Sequence, residues 1–306
     1  MKKKKNVILV PVDFQEPSVK AVHYGCKMAE KFNSDLALLY VIDTPGILAQ
    51  FFSSGEDLVR VTDKAKEKLF ELVESLKIKG VTIEISTRVD RGKPYQKILE
   101  VAKEIRAFMI ILGENHQCGN ADDDLGTTVY HVTLKSKVPV LTLKGDTSIL
   151  KERIVVPLDL TKKTDDQLAC TLFYGLTQSA KIFLVSSLVG GIEKKESRIY
   201  TKLKDARKFL KKNGLDCEMK LFDRSDTPPF MRVLEYAEEV DAGMILIMTH
   251  QEGYTYDNYI GAFAHHILNL SKISVLTLTS LSDNMDFEPF FRAIVDPIGV
   301  FQNKSK

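Results

Sequence analysis

The stretch VILVPVD, Val7 to Asp13, returns as IVVPLD, Ile154 to Asp159, and this recurrence decides the fold. Each copy is an apolar strand ending in Pro-x-Asp. The rest of the two halves agrees in order. EVAKEI (Glu100 to Ile105) followed by MIIL (Met109 to Leu112) matches EYAEEV (Glu235 to Val240) followed by MILI (Met244 to Ile247), and VPVLTL (Val138 to Leu143) matches ISVLTL (Ile273 to Leu278). Recurrence on this scale marks a duplication. It predicts tandem domains at residues 1–146 and 151–281, joined near Lys144 to Lys151, and a C-terminal tail at 282–306.

Within the first copy, apolar runs at 7–12, 35–41, 82–89, 107–112 and 138–143 alternate with segments of helical period. Val19, Val22, Cys26 and Ala29 share one helical face, as do Leu58, Val61, Ala65, Leu69, Leu72 and Leu76. Pro94 stands where a helix can start, ahead of Ile98, Val101, Ala102 and Ile105. A crossover helix must lie on the sheet to which it returns, so the alternation predicts an α/β fold. Each half is expected to be a doubly wound domain, a five-stranded parallel sheet of order 3-2-1-4-5 with helices on both faces. The ligand crevice of such a sheet lies outside the carboxyl ends of its strands, where the winding reverses. Asp13 and Gly113 should meet there. Only the first copy carries a long insertion near that crevice, TPGILAQFFSSGEDL at 44–58, against SLVGGIEKKES in the second.

Composition narrows the function classes. Charges nearly cancel, at +2 over 306 residues, so no whole-molecule field favours nucleic acid. The four cysteines, Cys26, Cys118, Cys170 and Cys217, form no C-x-x-C pair, which speaks against a disulfide framework or structural zinc and for a reducing cytoplasm. No apolar run approaches the roughly 20 residues that span a bilayer, so no membrane partner is expected.

The strand-four loop, ILGENHQCGNADDDLGTTVYH from Ile111 to His131, carries the remaining information. Together with Pro-x-Asp and the five-strand order, it resembles the universal stress protein family in its tandem form, over roughly residues 5 to 281. Nucleotide-binding members of that family carry G-x2-G-x9-G-(S/T). Here the spacing is kept as Gly113, His116 and Gly126-Thr127. The resemblance implies an adenine-nucleotide site, for ATP with or without Mg²⁺. Asp13 would meet the adenine, Pro11, Val12 and Val41 would line the base pocket, and Gly126, Thr127 and Thr128 would cradle phosphates at a helix N-terminus. Gly113 would let backbone approach the ribose or phosphate. His116 either fills space that the ligand needs or donates a hydrogen bond to it. Asp122, Asp123 and Asp124 are a solvated loop tip, a source of repulsion toward phosphate, or oxygen ligands for Mg²⁺. In the second copy the motif positions fall on Met248, Gln251 and Gly261-Ala262, a degenerate set.

Other constellations carry less. His116, Cys118 and His131 have no strong zinc spacing, and His265-His266 point different ways on a helix. There is no G-x-S-x-G and no P-loop, so no residue takes a catalytic role. FDRSDTPPF, Phe222 to Phe230, reads as a strand end, a turn and a helix start. The runs at 138–143 and 273–278 would lie at sheet edges, where family members pair, implying a homo-oligomer or a pseudo-dimer within one chain. The tail, with Phe287, Phe290, Phe291, Ile294 and Val295 among its apolar residues, is expected to dock on a groove. The functional expectation is stress adaptation through nucleotide sensing in the first domain. The alternatives are an interaction protein with a decayed site, and a slow ATP hydrolase or small-molecule carrier.

Overall fold

The computed structural model describes residues 5–43, 55–114, 126–145, 151–158, 164–188, 197–249, 251–252 and 259–279. The chain forms two compact units, and the first comprises residues 1–150 together with 251–279. It begins with β1 (Val7–Pro11), α1 (Glu16–Lys31), β2 (Asp35–Ile42), α2 (Gly55–Ile78), β3 (Ile85–Arg91), α3 (Pro94–Glu104), β4 (Met109–Gly113), α4 (Thr127–Lys135) and β5 (Val140–Leu143). β1 pairs in parallel with β2, Val7 opposite Asp35, and on its other side with β4, Ile8 opposite Met109. The order β3-β2-β1-β4-β5 follows, as the alternation predicts. Strands buried on both faces must be apolar throughout. Ile8, Leu9, Val10, Ile110 and Ile111 accordingly have no exposed surface.

The helices start where the sequence provides for it. Pro17 and Pro94 sit in the first turns of α1 and α3, where a missing N–H costs nothing. α1 buries Ala21, Val22, Cys26, Met28 and Ala29 against the sheet. On α2 the expected stripe is partly solvated: Leu69 and Leu76 are fully buried, but Val61 is exposed, and so are Phe70 and Ile78 on the outer side. β3 starts three residues later than its apolar run, because its own residues alternate only weakly at this edge of the sheet.

The second unit contains β6 (Arg153–Pro157), α5 (Thr164–Gln178), β7 (Lys181–Ser187), α6 (Arg198–Lys212), β8 (Cys217–Phe222), α7 (Pro229–Glu239) and β9 (Met244–Thr249). Its strands are parallel, in the order β9-β6-β7-β8. FDRSDTPPF does end a strand and start a helix, β8 and α7. The chain then returns to the first unit through β10 (Gln251–Glu252), β11 (Tyr259–Ile260), α8 (Ala262–Leu270) and β12 (Ser274–Thr279).

The strand order β8-β7-β6-β9-β12 gives the second repeat the expected 3-2-1-4-5 as well. The fifth strand of the second repeat, β12, belongs to the first unit and runs antiparallel to β5, with Val275 opposite Thr142 and Thr277 opposite Val140. An edge strand exposes a row of unpaired N–H and C=O groups, and β12 satisfies that row on β5. Thr277 adds a side-chain bond to the Val140 carbonyl at 3.1 Å. The tail and most of the 44–58 insertion lie outside the described residues. Among the described residues, no helix is long and apolar enough to cross a membrane.

If β12 protects the β5 edge, Thr277→Pro should accelerate amide exchange at residues 140–143 and leave residues 8–10 unchanged. Equal protection of 140–143 in wild type and variant would mean that the edge does not depend on β12.

Candidate functional site

The β1-to-α1 turn positions the first group. Phe14 adopts a left-handed conformation, φ 67°, which reverses the chain between strand and helix. Such backbone costs about 1–3 kcal/mol in a non-glycine residue and persists only where its surroundings hold it. The Phe14 ring is held against Tyr40 at 5.1 Å, with the Lys68 ammonium 5.2 Å from its centre. The turn leaves Asp13 exposed but fixed: its Oδ1 accepts the Ser18 hydroxyl at 2.5 Å and the Gln15 N–H at 2.9 Å. The Asp13 N–H donates back to Ser18 Oγ at 3.2 Å. Asp13 is therefore pinned to the start of α1 and keeps further lone pairs for a ligand.

β4 delivers the second group. A β-carbon on Gly113 would lie 2.0 Å from the Pro17 carbonyl oxygen and 2.8 Å from the Ser18 nitrogen. The backbone of α1 by itself therefore requires a glycine at this position. Gly126 is the converse: a β-carbon there meets nothing within 4 Å. Gly126 is also the N-cap of α4 and, being glycine, brings no side-chain cap of its own. The first-turn amides of α4 have no partner within the helix and stand at the positive end of its dipole, a suitable place for an anion.

These elements surround one cleft of ≈ 620 Å³. Pro11, Val12, Asp13 and Val41 contribute from the strand ends, Gly113 from β4, and Gly126, Thr127 and Thr128 from the start of α4. The cleft thus gathers every candidate position within the described residues. His116 lies outside them, as do Cys118, Asp122, Asp123 and Asp124. The sequence reading missed Gln15, Pro17 and Ser18 at the α1 turn, Pro94 and Ile98 on α3, and Glu114 directly after Gly113. The five-residue spacing of Asp13 and Ser18 on a helix start was the available signal for Ser18. An apolar wall, a fixed carboxylate and first-turn helix amides can hold a flat polar ring at one end and an anion at the other.

Glu114 leads out of the cleft into the interior. Its carboxylate Oε2 lies 3.2 Å from Lys144 Nζ, and the two side chains are 8% and 0% exposed. The contact is an ion pair whose geometry is not that of a directed hydrogen bond, since Oε2 has no hydrogen-bond partner. Burial lowers the Lys144 pKa, against the opposing pull of Glu114.

His131 sits one turn into α4, its ring 4.5 Å from that of Tyr95 on α3 and its Nδ1 buried without a hydrogen bond. Burial, then the Lys135 charge, lowers its pKa from 6.5. His23 is lowered in the same direction, by burial and by Lys79 and Lys27. No group of three His, Cys, Asp or Glu is placed to hold a metal among the described residues. The described cysteines are buried, and burial raises the thiol pKa of Cys26 to about 11 and of Cys217 to about 12, which keeps them protonated and unreactive.

Comparison with known proteins agrees with the fold. Residues 5–144 match the sequence model of the Universal stress protein family. The chain is 24% identical over 139 residues to universal stress protein MJ0531 of Methanocaldococcus jannaschii, covering 45% of this chain and 81% of that one. It is 23% identical over 146 residues to universal stress protein YxiE of Bacillus subtilis, covering 45% and 99%. Among solved structures, a universal stress protein from Archaeoglobus fulgidus superposes with a TM-score of 0.70 at 19% identity, covering 90% of this chain and 99% of that one.

Two outcomes follow from the site geometry. Gly113→Ala should destabilise the first unit by about 3 kcal/mol or more, an overpacking cost against backbone that cannot rotate away. A urea titration followed in that unit would show it, and an unchanged midpoint would contradict the Pro17 contact. The second outcome concerns pH. His131 and His23 resist protonation when folded, whereas the unfolded chain takes up protons near 6.5, so stability is full above that value and falls as pH drops below it. His131→Gln and His23→Gln should each flatten that decline in thermal melts taken between pH 7.5 and about 5.

Proposed function

Because the chain belongs to the universal stress protein family through the domain at residues 5–144, we propose that its first unit binds an adenine nucleotide and acts in stress adaptation as a nucleotide sensor. The observation that carries this reading is the convergence of Asp13, Val41, Gly126, Thr127 and Thr128 on one cleft whose anion end is open at Gly126. The residues fit the ligand's chemistry. Val12 and Val41 offer an apolar surface to a base, Asp13 offers an acceptor to its exocyclic N–H, and the first-turn α4 amides with the two threonine hydroxyls receive phosphate oxygens. Asp122, Asp123 and Asp124 would supply oxygen ligands if Mg²⁺ accompanies the nucleotide. A bound nucleotide would then alter the surface offered to partners.

The second repeat is not assigned this role. Its motif positions carry Met248 and Gln251, and Met248 is a buried side chain where the first repeat has Gly113. The competing reading, an interaction protein working through its edge strands, has lost one surface, because β5 is already paired with β12.

Isothermal titration of ATP, with and without Mg²⁺, tests the proposal on wild type, Asp13→Ala and Gly126→Val. Micromolar binding by wild type should be weakened about tenfold or more by each substitution, the first removing a base contact and the second filling the open phosphate end. Wild-type protein that takes up no heat with ATP would overturn the reading.

A further inference from the structure

The Glu114 carboxylate poses a problem for any anionic ligand. It follows Gly113 directly, lines the same cleft, and is almost fully buried, so an uncompensated charge there would repel phosphate with little screening. The compensating charge is Lys144, at the end of β5. We infer that Lys144 is the counter-charge to Glu114 that permits an anion in this cleft, and that its position couples anion binding to the docking of α8 and β12. The inference rests on the nucleotide reading and names the regulation of that site.

The coupling is written in the contacts of one residue. The Lys144 ammonium donates to the carbonyl of Leu268, in the last turn of α8, where helix carbonyls have no partner within the helix. Its backbone N–H donates to Ser274 Oγ at 3.2 Å, and that hydroxyl faces the Lys144 carbonyl at 3.4 Å. The lysine is therefore held on one side by Glu114 at the cleft and on the other by α8 and β12. Undocking α8 removes a partner of the ammonium and frees it to swing away from Glu114. The cleft then faces an anion with a bare carboxylate. By reciprocity, an anion that favours the compensated cleft favours the docked α8.

The two repeats supply an internal comparison. Glu114 and Lys144 correspond to Thr249 and Thr279 in the second copy, so both charges are absent together where the Gly113 and His116 positions carry Met248 and Gln251. A charge and its counter-charge occur only in the repeat that keeps a glycine at the Gly113 position.

Lys144 does not touch the cleft and acts through Glu114, so it is a positioning residue, and the test separates charge compensation from simple structural support. ATP, AMP and adenosine are titrated calorimetrically against the full chain as wild type, Lys144→Met, and Lys144→Met with Glu114→Gln. Lys144→Met should weaken ATP about tenfold or more, AMP less, and adenosine hardly at all, and the added Glu114→Gln should restore ATP to within about threefold. In hydrogen exchange, ATP should slow residues 262–279 of wild type but not of Lys144→Met. Equal ATP binding by wild type and Lys144→Met would overturn the inference alone. Equal losses of ATP and adenosine that Glu114→Gln does not repair would also overturn it, by showing a structural role. Wild type that binds neither ATP nor adenosine would instead defeat the nucleotide reading, and this inference with it.

Discussion

The carbonyl oxygen of Pro17 occupies the space that a side chain on Gly113 would need. That close approach is the constraint on which the first unit's site depends, because it lets the start of α1 lie against the end of β4 where the sheet's winding reverses. Asp13 and Ser18 are fixed by the same helix start, so the carboxylate and the glycine are positioned by one contact. A larger residue would separate them and widen the crevice. In the second repeat Met248 stands at this position.

The two glycines of the cleft therefore have different physical origins although a sequence motif treats them alike. Gly113 is filled by the chain's own backbone, whereas Gly126 borders open space at a helix N-terminus. The first is a requirement of folding and the second is not, a distinction that spacing alone does not contain.

Much of the fold was legible because it rests on short-range rules. Val7 to Val12 and Met109 to Leu112 are apolar without interruption, as strands buried on both faces must be, and Pro17 and Pro94 mark helix starts. The site was legible where its residues end strands or begin helices, as Asp13, Val41, Gly113 and Thr127 do. The pairing of β12 with β5, the two edge runs, was expected from the family resemblance and not from local periodicity, which carries no information about which edge a strand will cover. One thing was not legible. Lys144 looked like a linker lysine because nothing near it in sequence predicts burial, and its partners Leu268 and Ser274 come from the distant α8 and β12.

The burial of Lys144 is the point at which fold and site become inseparable. Removing an ammonium and a carboxylate from water is costly, and an apolar pair of the same size at such a position is often at least as stable. Stability alone therefore gives no reason for Glu114 and Lys144 to sit where Thr249 and Thr279 stand in the other copy. A retained buried pair makes physical sense when one member faces a ligand and the other is held by an element that can move. Glu114 faces the cleft and Lys144 is gripped by α8 and β12, the one part of the second repeat that packs into the first unit. Through this lysine the docking of α8 and β12 and the charge of the cleft become a single equilibrium.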